Sequence, residues 1–206
     1  STNFINLITT NLTSFYRESH HFDFLRDTVI PELKKKSDKK VRIWSSGCSI
    51  GQEAYTIAFT LAEAHLASSF DVKILATDLD SNVVNTGEQG VYPADSLMSV
   101  PDETVERFFE KNRSGNQVRV KKSMRDLVHF KRLNLLEGWP MKGKFDVIFC
   151  RNVVIYFNRE TQKALFNRYA DYLPVGGYLI IGHSESLNGL TDRFKSVGNT
   201  IYQKIY

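Results

Sequence analysis

The sequence predicts an α/β protein built on a mostly parallel sheet, and two patterns support this fold class. From about residue 41, short apolar runs typical of buried strands alternate with segments of helical periodicity, which indicates a doubly wound parallel sheet. Near the end, the strand-like runs "YLIIGHSE" and "NTIYQKIY" follow each other without a long helix between them. We therefore expect an antiparallel strand pair at the end of the sheet.

Composition indicates an ordinary globular protein. The 206 residues are 42% hydrophobic and 24% charged, which suits one domain with a sizeable core and excludes disordered and fibrous classes. No apolar run approaches the about 18 residues that a membrane span requires. Two cysteines, Cys48 and Cys150, are too few for a disulfide framework, so we expect a cytoplasmic protein with both as small buried residues. The net charge of +4 favours an acidic partner, and nucleic acid, an anionic membrane surface and an acidic protein all fit it.

Residues 1–40 are predicted to form a helical segment followed by a linker. Apolar residues recur at helical spacing in two stretches: Phe4, Leu7 and Ile8, and then Phe22, Leu25, Val29 and Ile30 before Pro31. The run "KKKSDKK" (34–40) is interpreted as a solvated linker, and a specific anion-binding patch is the alternative.

The later elements follow from hydrophobic patterns and cap signals. Strands are predicted at "VRIWSS", "VKILATDLD" and "FDVIFCRN", and helices at 52–67, after a capping Ser81, and at 160–173. Residues 91–132 break this alternation with a short helix, the polar turn "NRSGN" and two strand-like pieces, "QVRVK" and "LVHFKRLNL". We expect this segment to be a small antiparallel insertion.

The strand–turn–helix stretch "RIWSSGCSIGQEAYTIAF" is the candidate ligand-binding turn. Gly47 and Gly51 suit a turn that a ligand approaches closely, and Asp78 at the end of the next strand can accept hydrogen bonds from ribose hydroxyls. A ligand-free tight turn is the alternative for the glycines, and a cap or loop carboxylate is the alternative for Asp78. Ser49 replaces the middle glycine that a pyrophosphate requires, so the turn favours S-adenosylmethionine over NAD.

Six blocks then resemble one family, the chemotaxis receptor glutamate methyltransferases, or CheR family. In chain order they are "TTNLTSFYRESHHF", "WSSGCSIGQEAYTIA", "ILATDLD", "LNLL", "FDVIFCRNVVIYF" and "GHSESL". The second block differs from the family's common GCSTGEEPYS at Ile50, Gln52 and Ala54, and it retains Glu53. The family also has an N-terminal all-helical domain that is not in these residues, so we expect either a catalytic fragment or a short form.

The resemblance implies a Rossmann-like methyltransferase domain over 41–206, with residues 91–132 as an inserted β-subdomain and residues 1–40 contributing to the cofactor site. It implies methyl transfer from S-adenosylmethionine to glutamate side chains of a chemotaxis receptor, leaving S-adenosylhomocysteine. In some relatives the β-subdomain docks a receptor C-terminal pentapeptide, but the short turn "KNRSGNQ" does not favour such tethering here. We expect a monomer that binds no nucleic acid and does not insert into a membrane.

The resemblance also implies the site residues. It assigns cofactor binding to Asn11, Thr13, Arg17, Glu53, Asp78, Asn134, Leu135, Arg151 and Asn152, and catalysis to Arg17 and Tyr156; the turn itself adds Gly47 to the cofactor-binding residues. By composition alone, Arg17 would be a surface arginine and Tyr156 a core tyrosine. Physically, guanidinium pairs well with carboxylates, an asparagine can both donate to and accept from a purine edge, and a leucine can pack on its face.

Other polar residues give weaker signals. His20 and His21 are adjacent and would face different directions on a helix, so no metal site is expected there. His183 in "GHSE" is either a packed strand-end histidine or a group lining the site. The rival functions are an S-adenosylmethionine enzyme acting on nucleic acid or a small molecule, and a non-catalytic module that senses the cofactor.

Overall fold

The computed structural model describes residues 13–206, and this part of the chain forms two β-sheets flanked by helices. The strands are β1 (Lys40–Ser45), β2 (Asp71–Asp78), β3 (Val91–Pro93), β4 (Phe109–Lys111), β5 (Gln117–Val120), β6 (Val128–Arg132), β7 (Val147–Cys150), β8 (Tyr178–Ile181), β9 (Phe194–Gly198) and β10 (Ile201–Lys204). The helices are α1 (residues 20–33), α2 (Gln52–Glu63), α3 (Ser81–Gln89), α4 (Asp102–Phe108), α5 (Lys122–Arg125) and α6 (Arg159–Asp171). Turns of 3₁₀ helix lie at Ala94–Ser99 and Val154–Tyr156.

The main sheet has seven strands in the order β6-β2-β1-β7-β8-β10-β9. Strands β6, β2, β1, β7 and β8 run parallel, and β10 is antiparallel to both β8 and β9. The predicted parallel sheet and its terminal antiparallel pair are therefore confirmed. Strand β9 was not predicted, because four of its five residues are exposed and give no apolar pattern.

The second sheet is small and antiparallel, in the order β3-β5-β4, which confirms the predicted insertion in part. The prediction was wrong for "LVHFKRLNL", because β6 lies in the main sheet and pairs in parallel with β2, with Val128 opposite Ile74. Val128 and Phe130 are buried while His129 and Lys131 are exposed. This alternation is what an antiparallel strand also shows, so the pattern alone could not assign the strand to a sheet.

The first helix, α1, covers residues 20–33 in three parts: His20–Phe24, a π-helical turn at Leu25–Val29, and Ile30–Leu33. The apolar residues predicted to form its inner face, Phe22, Leu25, Val29 and Ile30, are at most 4% exposed. The predicted helical residues Phe4, Leu7 and Ile8 lie outside the described part of the chain. The "KKKSDKK" linker is mostly exposed as expected, although Lys36 Nζ donates to Asp146 Oδ1 at 2.9 Å.

Three predicted helices have different boundaries: α6 covers Arg159–Asp171 instead of 160–173, and the end of α2 and the cap of α3 also differ. Helix α2 ends at Glu63 because His65 adopts a left-handed φ of 60°, and the N–H groups of His65 and Leu66 turn back to the carbonyls of Ala62 and Leu61. This closing turn buries Leu66. Helix α3 is capped by Asp80, not Ser81.

The cap of α3 is a side-chain hydrogen bond, in which the Asp80 carboxylate accepts from the Asn82 N–H at 2.8 Å.

Cys48 and Cys150 are both buried and free, as predicted. Within the described residues, no helix has the length and apolar character needed to cross a bilayer.

Candidate functional site

A cavity of about 420 Å³ opens at the carboxyl ends of the parallel strands. Ser46 follows β1, Asp78 ends β2, Leu133 follows β6 and Arg151 follows β7, so four neighbouring strands contribute to its wall. Such crevices are where ligands bind in open α/β sheets. Ten of the predicted site residues line it: Thr13, Arg17, Gly47, Glu53, Asp78, Asn134, Leu135, Arg151, Asn152 and Tyr156. Asn11 lies outside the described residues.

The glycine turn between β1 and α2 brings backbone close to the cavity. Gly51 precedes α2 at a φ of 99°, a conformation that suits glycine, and Ser49 adopts a φ of 49°. A Cβ on Gly47 would collide with Val153 Cγ2 on the opposite wall. Gly47 is therefore required by the close approach of the two walls, which the sequence alone did not reveal.

Asp78 closes the turn from the neighbouring strand. Its Oδ2 accepts the Ser49 N–H at 2.9 Å and its Oδ1 accepts the Asp80 N–H at 3.1 Å. Burial raises the pKa of the Asp78 carboxyl above its usual range, and these two backbone N–H groups act against that rise. Because a carboxylate already occupies the turn amide, a pyrophosphate would meet negative charge here, whereas ribose hydroxyls could donate to the remaining oxygen lone pairs.

Glu53 lies in the first turn of α2 and links β1 to the loop after β7. Its Oε1 accepts from Ser45 Oγ at 2.7 Å, and its Oε2 accepts from Arg151 Nε at 2.7 Å. The side chains of Glu53 and Arg151 are only 13% and 4% exposed. A paired carboxylate and guanidinium thus stand at the base of the cavity.

Arg151 also holds the N-terminal segment against the site. Its Nη1 donates to the Arg17 carbonyl at 2.5 Å and lies 3.2 Å from His21 Nδ1, and its guanidinium lies over the Phe22 ring at 5.2 Å. The backbone of Arg17 is therefore tied to the loop after β7. This contact places Arg17, a predicted catalytic residue, beside the loop after β7.

His21 is fully buried and connects Arg151 to the turn between β9 and β10. Burial and the nearby Arg151 cation lower the pKa of His21 to about 3, so the imidazole is neutral. Arginine can only donate, so Nδ1 accepts from Arg151, and Nε2–H donates to the Asn199 carbonyl at 3.1 Å. Both ring nitrogens of His21 are thus engaged.

The expectation that His20 and His21 face different directions was wrong. Their ring centroids are 4.2 Å apart and both Nε2 atoms approach the Asn199 carbonyl, because residues 15–19 form a turn and His20 starts the helix. With Glu18 they form a cluster whose potential ligand atoms lie within 4.8 Å of one another. The Arg151 guanidinium beside His21 opposes the binding of another cation, which favours the prediction that this cluster binds no metal. That prediction remains untested.

Arg17, Asn152 and Tyr156 lie at the mouth. With its amide oxygen turned toward Arg17, Asn152 accepts from both Nη1 and Nη2 at 3.2 and 3.3 Å. Asn152 has a φ of 60°, and Tyr156, at the end of the 3₁₀ turn, is 54% exposed. His183 is also near the mouth, where its N–H donates to Glu18 Oε1 at 2.9 Å, but it does not line the cavity.

The loop after β6 lines another part of the cavity with Asn134 and Leu135. The Leu135 carbonyl accepts from Trp139 Nε1 at 3.0 Å and from Arg168 Nη1 at 2.8 Å, and Arg168 Nη2 donates to the Glu137 carbonyl at 3.0 Å. The Arg168 guanidinium lies 3.9 Å from the Trp139 ring centroid. The sequence gives no sign of the roles of Arg168 and Trp139, because contacts to main-chain carbonyls leave no sequence signal.

The charges of the lining residues suit an adenosine ligand that carries a cation and no phosphate. The charged residues that line it are Asp78, Asp80, Glu53, Arg17 and Arg151, and Arg151 is paired with Glu53. S-adenosylmethionine combines adenosine with a sulfonium and an amino-acid carboxylate, so this cavity fits it. Asn134 and Leu135 would hold the adenine and Asp78 the ribose, while Arg17 can pair with one carboxylate, either that of the cofactor or that of an acceptor.

Comparison with known proteins gives the same answer. Residues 11–203 match the family described as CheR methyltransferase, SAM binding domain. The chemotaxis protein methyltransferase of Borreliella burgdorferi is 43% identical over 192 residues, covering 90% of this chain and 68% of that protein. Chemotaxis protein methyltransferase 2 of Pseudomonas aeruginosa is 43% identical over 204 residues, covering 97% of this chain and 71% of that protein.

A solved structure, the DszA carbon methyltransferase, has the same fold, with a TM-score of 0.53 over 91% of this chain and 43% of that chain at 14% identity. The predicted resemblance and the predicted cofactor, S-adenosylmethionine, are confirmed by the family match. With the sheet, the cavity and 43% identity to two chemotaxis methyltransferases in agreement, this chain belongs to the CheR methyltransferase family and comprises its S-adenosylmethionine-binding domain.

Proposed function

We propose that this protein methylates glutamate side chains of chemotaxis receptors and forms methyl esters. The observation that carries the proposal is the chemistry of the cavity wall. Among the described residues that line it, none is a histidine or a lysine, and the lining carboxylates of Glu53, Asp78 and Asp80 already accept hydrogen bonds from protein groups. An acceptor that is already an ionised nucleophile requires no general base, and a glutamate carboxylate with an ordinary pKa of about 4.3 meets that requirement.

The names of the relatives support the same acceptor. Proteins called chemotaxis protein methyltransferase match 90–97% of this chain at 37–43% identity, including that of Escherichia coli. S-adenosylmethionine, when bound, supplies an electrophilic methyl group on its sulfonium. The chain's own task is then to bring a carboxylate into line with that methyl group and to exclude water.

Two residues at the mouth perform this task in our proposal. Arg17 offers paired N–H donors that can steer a carboxylate, and its backbone is held by Arg151 at 2.5 Å. Tyr156, half-exposed at the rim, offers a hydroxyl to the entering side chain. Positioning of this kind lowers a barrier by roughly 7–11 kcal/mol when the reacting atoms are well aligned.

Labelled methyl transfer tests the function. We expect the label to pass from S-adenosylmethionine to cytoplasmic fragments of chemotaxis receptors, and to be released as methanol in alkali because carboxyl esters hydrolyse there. Replacing the labelled glutamates of the fragment by alanine should abolish labelling. A base-stable product, or preferential labelling of nucleic acid or small molecules, would contradict the proposal.

We further propose that the reaction takes place in the cytoplasm. The two cysteines are buried and unpaired, which suits a reducing compartment. Cell fractionation with an antibody to the native protein tests this, and recovery with the periplasmic fraction would contradict it.

A further inference from the structure

Glu185 has a buried carboxylate that accepts hydrogen bonds from three main-chain N–H groups. It follows β8 in the block "GHSESL" and is 7% exposed. Its Oε1 accepts the Asn152 N–H at 2.7 Å and the Gly182 N–H at 2.8 Å, and its Oε2 accepts the Val154 N–H at 3.1 Å. One side chain therefore joins the loop after β8 to the loop after β7.

The loop after β7 carries the residues at the mouth of the site. Asn152 is held in the left-handed region, which non-glycine residues adopt rarely, and its amide oxygen faces both terminal nitrogens of Arg17. Val154 begins the 3₁₀ turn that ends at Tyr156. The two amides of this loop that Glu185 binds, those of Asn152 and Val154, are thus the ones that orient Asn152 and start the turn presenting Tyr156.

An ionised carboxylate is the group that suits this arrangement. It is an acceptor on both oxygens, whereas a carboxamide would turn an NH₂ group toward one of the N–H donors. Burial raises the pKa of Glu185 above its usual range, while the three backbone hydrogen bonds favour the charged form. The space is also tight, since a Cβ on Gly182 would lie 2.8 Å from Glu185 Oε1 and would also crowd the Asn152 side-chain amide.

We propose that Glu185 is a positioning residue for the acceptor. By binding the amides of Asn152 and Val154, it sets the positions of Asn152 and Tyr156 relative to Arg17. It contacts neither the cofactor nor the acceptor, and it acts through the loop after β7. The turnover readout of this inference rests on the proposed methyl transfer, but its structural readout does not.

The first test is Glu185→Gln, with Glu106→Gln as the matched control, because Glu106 is exposed on α4. Hydrogen exchange measured by mass spectrometry should be faster over residues 151–157 in Glu185→Gln and unchanged in the control. Turnover per S-adenosylhomocysteine-binding site should fall about tenfold, while the Kd for S-adenosylhomocysteine changes less than about threefold. A merely structural role would reduce the number of binding sites and leave turnover per site unchanged, which would overturn the inference.

The second test keeps the carboxylate and displaces it, so the inference remains testable if Glu185→Gln does not fold. Gly182→Ala should crowd Glu185 Oε1 and reproduce the faster exchange over 151–157 and the loss of turnover per site. Gly143→Ala is its control, because a Cβ there has nothing within 4 Å. Normal exchange over 151–157 in Gly182→Ala would overturn the inference. If the wild-type protein does not methylate receptor fragments, the proposed function fails, and the exchange measurement still decides the role of Glu185.

Discussion

The two walls of the cavity are held in place by side chains of opposite charge. On the adenosine side, defined here as residues 133–137 after β6, Arg168 donates to the carbonyls of Leu135 and Glu137. On the acceptor side, residues 151–157 after β7, Glu185 accepts the amides of Asn152 and Val154. Each loop is therefore held through its backbone by a side chain from another part of the chain.

The two supports differ in burial. Arg168 is half-buried and covers the Trp139 ring, whereas Glu185 is buried. If Arg168 is removed, water can reach and replace part of what the carbonyls lose, but removal of a buried acceptor leaves N–H groups without partners. We therefore expect the acceptor side to tolerate change less well than the adenosine side.

The largest expected effect is on the acceptor side, from Arg17→Lys. A lysine is a point charge and cannot reproduce the two parallel donors that face Asn152, so turnover should fall about a hundredfold. Turnover is measured at saturating S-adenosylmethionine and receptor fragment. Arg26→Lys, which changes an exposed arginine on α1, is the control and should keep full activity. Comparable turnover in the two variants would mean that Arg17 does not position the acceptor.

Asp78→Ala should produce the next largest effect, on cofactor affinity. Loss of a carboxylate that is proposed to accept from the ribose should weaken S-adenosylhomocysteine binding about tenfold to a hundredfold in calorimetry. Turnover at saturating cofactor should change little, because Asp78 is proposed to contact the ribose of the cofactor and not the acceptor. Asp95→Ala, at an exposed position, is the control. An unchanged Kd would argue against the ribose role.

The third prediction concerns how the free energy of unfolding changes with pH, because His21 and Arg151 help to hold the acceptor side. The folded pKa of His21, about 3, lies below the ordinary 6.5, so the unfolded chain binds a proton that the folded chain does not. The neutral His21 imidazole therefore makes its full contribution to the free energy of unfolding above pH 6.5, and this contribution is lost as the pH falls toward 3. The difference in unfolding free energy between wild type and His21→Gln should therefore narrow by about 1 kcal/mol between pH 6.5 and 5.5.

Chemical denaturation at several pH values measures this difference. Other acidic groups titrate equally in both proteins, so they cancel in the comparison. A difference that stays constant with pH would mean that His21 is not held neutral by burial and Arg151.

Arg168→Met should have the smallest effect. Methionine can still cover Trp139 but cannot donate to the Leu135 and Glu137 carbonyls, so S-adenosylhomocysteine affinity should weaken about fivefold, on the order of 1 kcal/mol. Turnover at saturating cofactor should be unchanged. Lys163→Met, an exposed change on the same helix, is the control. A loss of turnover without a loss of affinity would reverse the assignment of the two walls.

Much of the site could be predicted because its residues stand in short blocks at strand ends. Asp78 and Arg151 follow apolar runs that are recognisable as buried strands, and parallel strands bring their carboxyl ends to one edge. Gly47 was found from the turn, although its need for glycine comes from Val153 on the other wall. The roles of these residues toward ligand and acceptor stay predictions.

Other features could not be predicted, because they depend on which elements become neighbours. Strand β6 was assigned to the insertion, since a half-buried edge strand has the same alternation whether its partner runs parallel or antiparallel. The meeting of His20 and His21 at the Asn199 carbonyl depends on a turn between β9 and β10 about 180 positions away.

By itself, the sequence determined the parallel sheet, its antiparallel end and the glycine turn after the first strand, which follow from local hydrophobic periods and turn residues. Its resemblance to one family then named ten residues that line one cavity. Only the tertiary structure decided the supports Arg168, Glu185 and His21, and the place of β6. The physical reason is that these side chains act on main-chain N–H and carbonyl groups of distant segments, which every residue type except proline provides alike.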